Sequence, residues 1–124
     1  MTQEDKELLL KDISARLHYG VKFHFDGVRH IITGVYKGLD SYVEVANGRR
    51  YHIESIRPYL LPMSYIDDNE KLFAEYITTL TYDSNTHSAV PTIKTFDFYN
   101  KYHIDYRGLI PLGLAIDSTG LNIY

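Results

Sequence analysis

His103, Asp105, Tyr106 and Arg107 stand within about one turn of chain, and an imidazole, a carboxylate and a guanidinium so close could exchange protons or clamp a phosphate or carboxylate. A hydrolase or transferase built on His103 and Asp105 would still lack a nucleophile or second carboxylate, since neither accompanies them in sequence. The same residues suit a helix end. His103 would meet the negative end of a helix dipole, and Arg107 would pair with Asp105 or bond the last free carbonyls. The structural role is the fuller account, so no catalytic residue is assigned. Tyr102, Tyr106 and Arg107 are then the residues through which this segment would touch a partner protein.

A second group is basic. Lys22, Arg29, Arg49 and Arg50, with Arg57, fall in one region and are interleaved with Tyr42 and Tyr51. On the outer face of a sheet such cations could follow a nucleic-acid backbone while the tyrosines stack bases; a solvated charged face is the plainer account. His24, His30 and His52 lie in the same region, but His24 projects away from His30 and no zinc-ligand spacing occurs, so neither metal nor cofactor is expected. Acidic clusters, Glu4, Asp5 and Glu7 with Asp12, and Asp67, Asp68, Glu70 and Glu75, could imitate phosphates. Helix capping already accounts for Asp5, Asp67 and Glu70.

These side chains must be placed by a chain of 124 residues, a length that fits one domain, 1–124, with a modest core. A net charge of -3 provides no global field for polyanions or anionic membranes. The apolar run 108–116 is too short to cross a bilayer and the acidic, amphipathic start is unlike a signal peptide, so a cytoplasmic protein without membrane contact is expected. With no cysteine, disulfides and thiolate chemistry are excluded. Twelve tyrosines against five phenylalanines and no tryptophan suit a thin core's rim or a protein-binding surface.

Thr2 and Asp5 have capping-box spacing ahead of Leu9, Ile13 and Leu17, which predicts a helix over 3–17 with Gly20 as a left-handed exit. The period then changes to two. Asp26-Gly27 predicts a two-residue hairpin loop that pairs Phe25 with Val28 and Phe23 with His30, and puts Val21, Phe23, Phe25, Val28, Ile32 and Tyr36 on one face. At the next hairpin an Asn47-Gly48 loop would turn Tyr51 and Ile53 away from Val43 and Val45. A three-residue loop, Ala46-Asn47-Gly48, with Gly48 in the left-handed position of a bulge, pairs Val43 with Tyr51 and keeps the apolar set together. Strands near 21–26, 28–37, 41–46 and 49–54, with a brief fifth over 55–60, make a bent meander best closed as a small SH3-like barrel. Further on, Asp67 and Glu70 predict a capped helix over 67–80, then a polar, mobile loop over 81–91 and a helix over 93–103 capped by Thr92. Gly108, Pro111 and Gly113 leave 104–124 as an irregular packing segment of turns and at most one short strand.

The stretches "LLLKDISARLHYGVKF", "HIESIRPYLLPMS" and "HIDYRGLIPLGLAID" together resemble a family of small proteins from gut Bacteroidales genomes and their phages. His18 stands where that family usually has proline, and Asp117 is followed by "STGLNIY". The resemblance implies a genomic context rather than a chemistry: cargo of a phage or mobile element, of accessory use. Residues 21–56 are also similar to the strand meander of Sm-type RNA-binding proteins, in which a helix precedes a five-stranded barrel. The expectation is therefore an α+β protein with an N-terminal helix, a four- or five-stranded SH3-like or Sm-like barrel and two C-terminal helices. It would act as a non-enzymatic binder of a host or phage macromolecule, inhibition of a bacterial defence system being one concrete form. The alternative is a nucleic-acid-binding barrel that uses Lys22, Arg29, Arg49, Arg50, Tyr42 and Tyr51. A homo-oligomer is left open.

Overall fold

The hydroxyl of Thr2 accepts from Asp5 N at 3.0 Å while Asp5 Oδ2 accepts from Thr2 N, so the first helix, α1 (Gln3–Arg16), begins in the expected capping box. The structure is a computed structural model describing residues 1–124. Leu9 and Ile13 bury one helical stripe. Leu17 passes into a short 3-10 helix (Leu17–Tyr19), and Gly20 leaves it at φ +71°.

Four strands follow as a curled antiparallel sheet in the order β1 (Lys22–Phe25), β2 (Val28–Tyr36), β3 (Tyr42–Val45), β4 (Arg50–His52). Both turns have the predicted register. Asp26 and Gly27 are left-handed, and Phe25 faces Val28. Gly48 is at φ +83°, Val45 N donates to Arg49 O at 3.0 Å, and Val43 faces Tyr51. One expectation fails inside β2. The register shifts between Ile32, opposite Val45, and Gly34, opposite Glu44, leaving Thr33 as an extra residue whose hydroxyl donates to Glu44 O. An extra residue reverses the pleat beyond it. Val35 therefore turns inward opposite Val43, and Tyr36 lies outside, folded over Gly34, where a Cβ would come 3.3 Å from its ring.

The fifth strand is displaced. A 3-10 helix (Ile53–Ser55) follows β4, Pro58 makes one antiparallel bridge to Phe23, and β5 (Tyr59–Pro62) leaves the meander. It becomes the centre of a second, three-stranded parallel sheet, between β8 (Ile104–Asp105) and β9 (Ile116–Asp117). The crossover to β8 holds α2 (Ser64–Asp67), α3 (Glu70–Thr79), a hairpin of β6 (Thr81–Asp83) and β7 (Ser88–Val90), and α4 (Ile93–Lys101). Two corrections fall here. Asn69, not Asp67, caps α3, its Oδ1 accepting from Leu72 N at 3.0 Å, because Asp67 is already the end of α2. The polar segment 81–91 is a hairpin rather than a loop, its tip held by Asp83 Oδ1 accepting from Asn85 N. At α4 the hydroxyls of Thr92 and Thr95 both donate to Thr79 O, so the start of α4 seals the end of α3.

The helix and half-barrel share one core, with Leu9, Ile13, Phe23, Ile32, Val43 and Leu60 at its centre. A smaller one holds Ile66, Leu72, Phe98, Tyr99 and Ile104. No helix is long and apolar enough to cross a membrane.

Candidate binding site at the open end of the half-barrel

The two predicted groups of polar residues meet opposite fates. Beside Asp105, both carboxylate oxygens accept from main-chain N–H groups, Leu109 and Ile110, each at 2.8 Å, which fixes the turn after β8. Arg107 reaches back to Asp12 at 2.8 Å. Asp12 is fully buried and also holds Arg16, four residues on along α1, through two further bonds of 2.9 and 3.0 Å. Arg16, itself fully buried, also donates to Tyr99 O and Ile104 O. One carboxylate and two guanidinium groups thus join the helix to both cores, with Asp12 shared between Arg16 and Arg107. Arg107, expected at a partner surface, is committed to this cluster.

His103 does not serve as the charged end of a helix. It sits in the left-handed position after α4, at φ +58°, with its ring stacked 3.5 Å from that of Tyr124. Burial, with Arg16 and Lys22 nearby, pushes its pKa down to about 4, so the imidazole is neutral around pH 7. With Asp105 turned onto its own main chain and His103 under Tyr124, the pair does not converge on a site where a substrate could sit. Tyr106 stacks on Tyr99 at 5.1 Å, and Tyr102 donates its hydroxyl to Glu75. That bond raises the Tyr102 pKa.

The basic strand residues separate into spent and unspent. Lys22 Nζ donates to Ile123 O at 2.8 Å, and Arg57 bonds Gly113 O, Glu54 O and Ile56 O. On the outer face Tyr36 and Tyr42 stack at 4.9 Å, and the Arg50 guanidinium lies over both rings while bonding Glu44 at 3.3 Å. The bond to Glu44 and the nearby Tyr42 raise the Arg50 pKa, so its charge is fixed. Arg29 and Arg49 are exposed, and neither side chain pairs within the chain. His24 meets Tyr59 edge-on, His30 turns inward onto Phe23 and Tyr51, and no three His, Asp or Glu side chains converge as metal ligands.

Tyr51 overturns one expectation. It is 9% exposed and faces the concave side, so it cannot be a stacking platform on the outer face. The bulged turn that pairs it with Val43 places it there, its ring 4.7 Å from Phe25 and 5.2 Å from His30. Its hydroxyl is buried and has no hydrogen-bond partner, which costs about 1–3 kcal/mol. Tyr51 also lines an open cavity of about 390 Å³ between the two hairpin tips, bounded by Phe25, Asp26, Val28, His30, Arg49 and Arg50. Val28 is 52% exposed there, although its register put it on the apolar face. The strand period gives the face of Val28 and Phe25 correctly. What it does not show is that the sheet stays open at this end, with nothing packed over them.

No protein-family model matches the chain, and comparison with curated proteins and with solved structures gives no significant match.

Proposed function

We infer that the protein is a non-catalytic binding module that modulates a macromolecule, and that it engages a protein partner at the open end of the half-barrel. The observation that carries this reading is the Tyr51 cavity. A cavity lined by exposed Phe25 and Val28, with the unpaired Arg49 at its rim and the partnerless Tyr51 hydroxyl beneath, is unfinished as folded chain and well suited as half of an interface. The 3-10 helix after β4 and the bridge from Phe23 to Pro58 support reading the half-barrel as an SH3-like small barrel whose fifth strand has been drawn into a second sheet. The resemblance of three segments to a phage-associated family supports an accessory role in the bacterial cytoplasm, with inhibition of a defence system as its concrete form. Affinity capture from a bacterial lysate with the wild type and an Arg49→Glu/Arg50→Glu variant is the test: the partner should be lost with the variant while the circular dichroism spectrum is kept. Equal recovery by both would refute it.

A nucleic-acid reading has one observation in its favour: Arg29, Arg49 and Arg50 share this end of the sheet with aromatic rings. It requires binding to single-stranded RNA or DNA that weakens steeply as salt is raised. Absence of a salt-dependent shift with either polymer removes it.

A further inference from the structure

The half-barrel has two edges. In the pairing of β3 with β4, Ile53 N donates to Ser41 O and Val45 N to Arg49 O, so the hydrogen-bonded pairs fall at alternate positions and include Val43 with Tyr51. The main-chain N–H and C=O of Arg50 and the N–H of His52 therefore point away from β3, the His52 C=O serving as first acceptor of the 3-10 helix that follows, and both residues are exposed. An edge of this kind is a template for another strand. At its concave side lies the Tyr51 cavity, and at its outer side lie the side chains of Arg50 and His52.

Resting on the reading of this end as a protein-binding site, we propose that β4 takes an extended acidic peptide as an added strand, in the pattern acidic, aromatic, acidic. The residues opposite Arg50 and His52 share the outer face with those side chains, where one carboxylate shares the Arg50 guanidinium with Glu44 and the other meets the imidazole of His52. The residue between them faces the Tyr51 ring on the concave side, where an aromatic side chain can pack on Phe25 and Val28. A second copy of the chain is a poorer occupant. Antiparallel pairing of two β4 strands would set Arg50 of each against His52 of the other and Tyr51 against Tyr51, and would bring no carboxylate to either Arg50 or His52. Nucleic acid would use the arginines and leave the exposed main-chain groups unpaired.

The experiment uses a capped synthetic peptide with Glu-Tyr-Glu at its centre, a Lys-Tyr-Lys counterpart and a single-stranded oligonucleotide, titrated into the whole protein by fluorescence anisotropy. His52 has φ −61°, the value proline requires, and its N–H faces outward, so His52→Pro removes one edge donor without straining the strand. The Glu-Tyr-Glu peptide should bind. Affinity should fall by about tenfold with His52→Pro, the equivalent of one lost main-chain bond. The Lys-Tyr-Lys peptide should bind more weakly still, and amide exchange at Arg50 should slow in the complex. Should His52→Pro fail to fold, N-methylation of the glutamate opposite Arg50 tests the reciprocal bond, from that peptide N–H to Arg50 O. Unchanged affinity on His52→Pro or N-methylation, or binding of the oligonucleotide but of neither peptide, overturns strand addition. If lysate capture still depends on Arg49 and Arg50 when strand addition has failed, the open-end site stands without it; if capture is indifferent to those arginines as well, both fall.

Discussion

The two edges of the half-barrel bear on one question, how a sheet avoids unwanted partners, and they answer it differently. At β1 the outer edge is closed from the same chain. Pro58 makes its bridge to Phe23, and the Tyr124 hydroxyl accepts from Lys22 N at 2.8 Å while donating to Tyr59 O at 2.8 Å. At β4 the main chain of Arg50 and the N–H of His52 face outward beside a tyrosine whose hydroxyl has no partner at all. The same residue type is thus used in opposite ways. Tyr124 satisfies the main chain of one edge, while Tyr51, next to the other, keeps a hydroxyl with no partner. The arginines divide along the same line: Arg16 and Arg107 are consumed by Asp12, whereas Arg29 and Arg49 are held in water.

The contrast can be broken most strongly at the closed region. Arg16→Ala leaves Asp12 buried with only Arg107, and removing one partner of a buried ion pair costs about 3–5 kcal/mol, read as a lower urea midpoint. The His103 and Tyr124 stack gives the next effect, through pH. The unfolded imidazole takes its proton near pH 6.5 and the folded one only near 4, so between these values the unfolded state holds more protons. This contribution is complete above pH 6.5 and is lost as the pH falls to 4, by roughly 3 kcal/mol. His103→Asn, which tolerates the left-handed backbone, should flatten that slope in a series of urea melts. The smallest effect is the most diagnostic: Tyr124→Phe should destabilise by about 1–2 kcal/mol, while Tyr51→Phe should be neutral or stabilising by up to about 2 kcal/mol, since it removes a buried hydroxyl that bonds nothing. A comparable loss at Tyr51 would mean that its hydroxyl is satisfied, and the distinction between the two edges would disappear.

Local chemistry was readable in the sequence. The Thr2 cap, the left-handed Gly20, the Asp26-Gly27 turn and the bulged Ala46-Asn47-Gly48 loop depend on neighbours a few residues apart, and all are found. Thr33 was not readable as a bulge, because a β-branched residue inside a strand looks regular until its partner strand is known. Ile104–Asp105 and Ile116–Asp117 are too short to carry a period, so the parallel sheet around β5 left no pattern to detect. The site was half legible. Arg49, Arg50 and Tyr51 are legible as a group, but an outer-face role for Tyr51 conflicts with its own register, which sets it with Val43 on the concave side. Lys22 and Arg107 were counted as available, and their distant partners, Ile123 and Asp12, appear only in three dimensions.

The parallel sheet also dictates an order of events during synthesis. β5 pairs Leu61 with Ile104 and Tyr59 with Ile116, so both of its neighbours leave the ribosome long after it does. The meander closes through short loops and can form early, whereas β5 must wait through two helices and a hairpin with both sides bare. The segment that carries β9 and Tyr124 is therefore what covers the second side of β5 and seals β1.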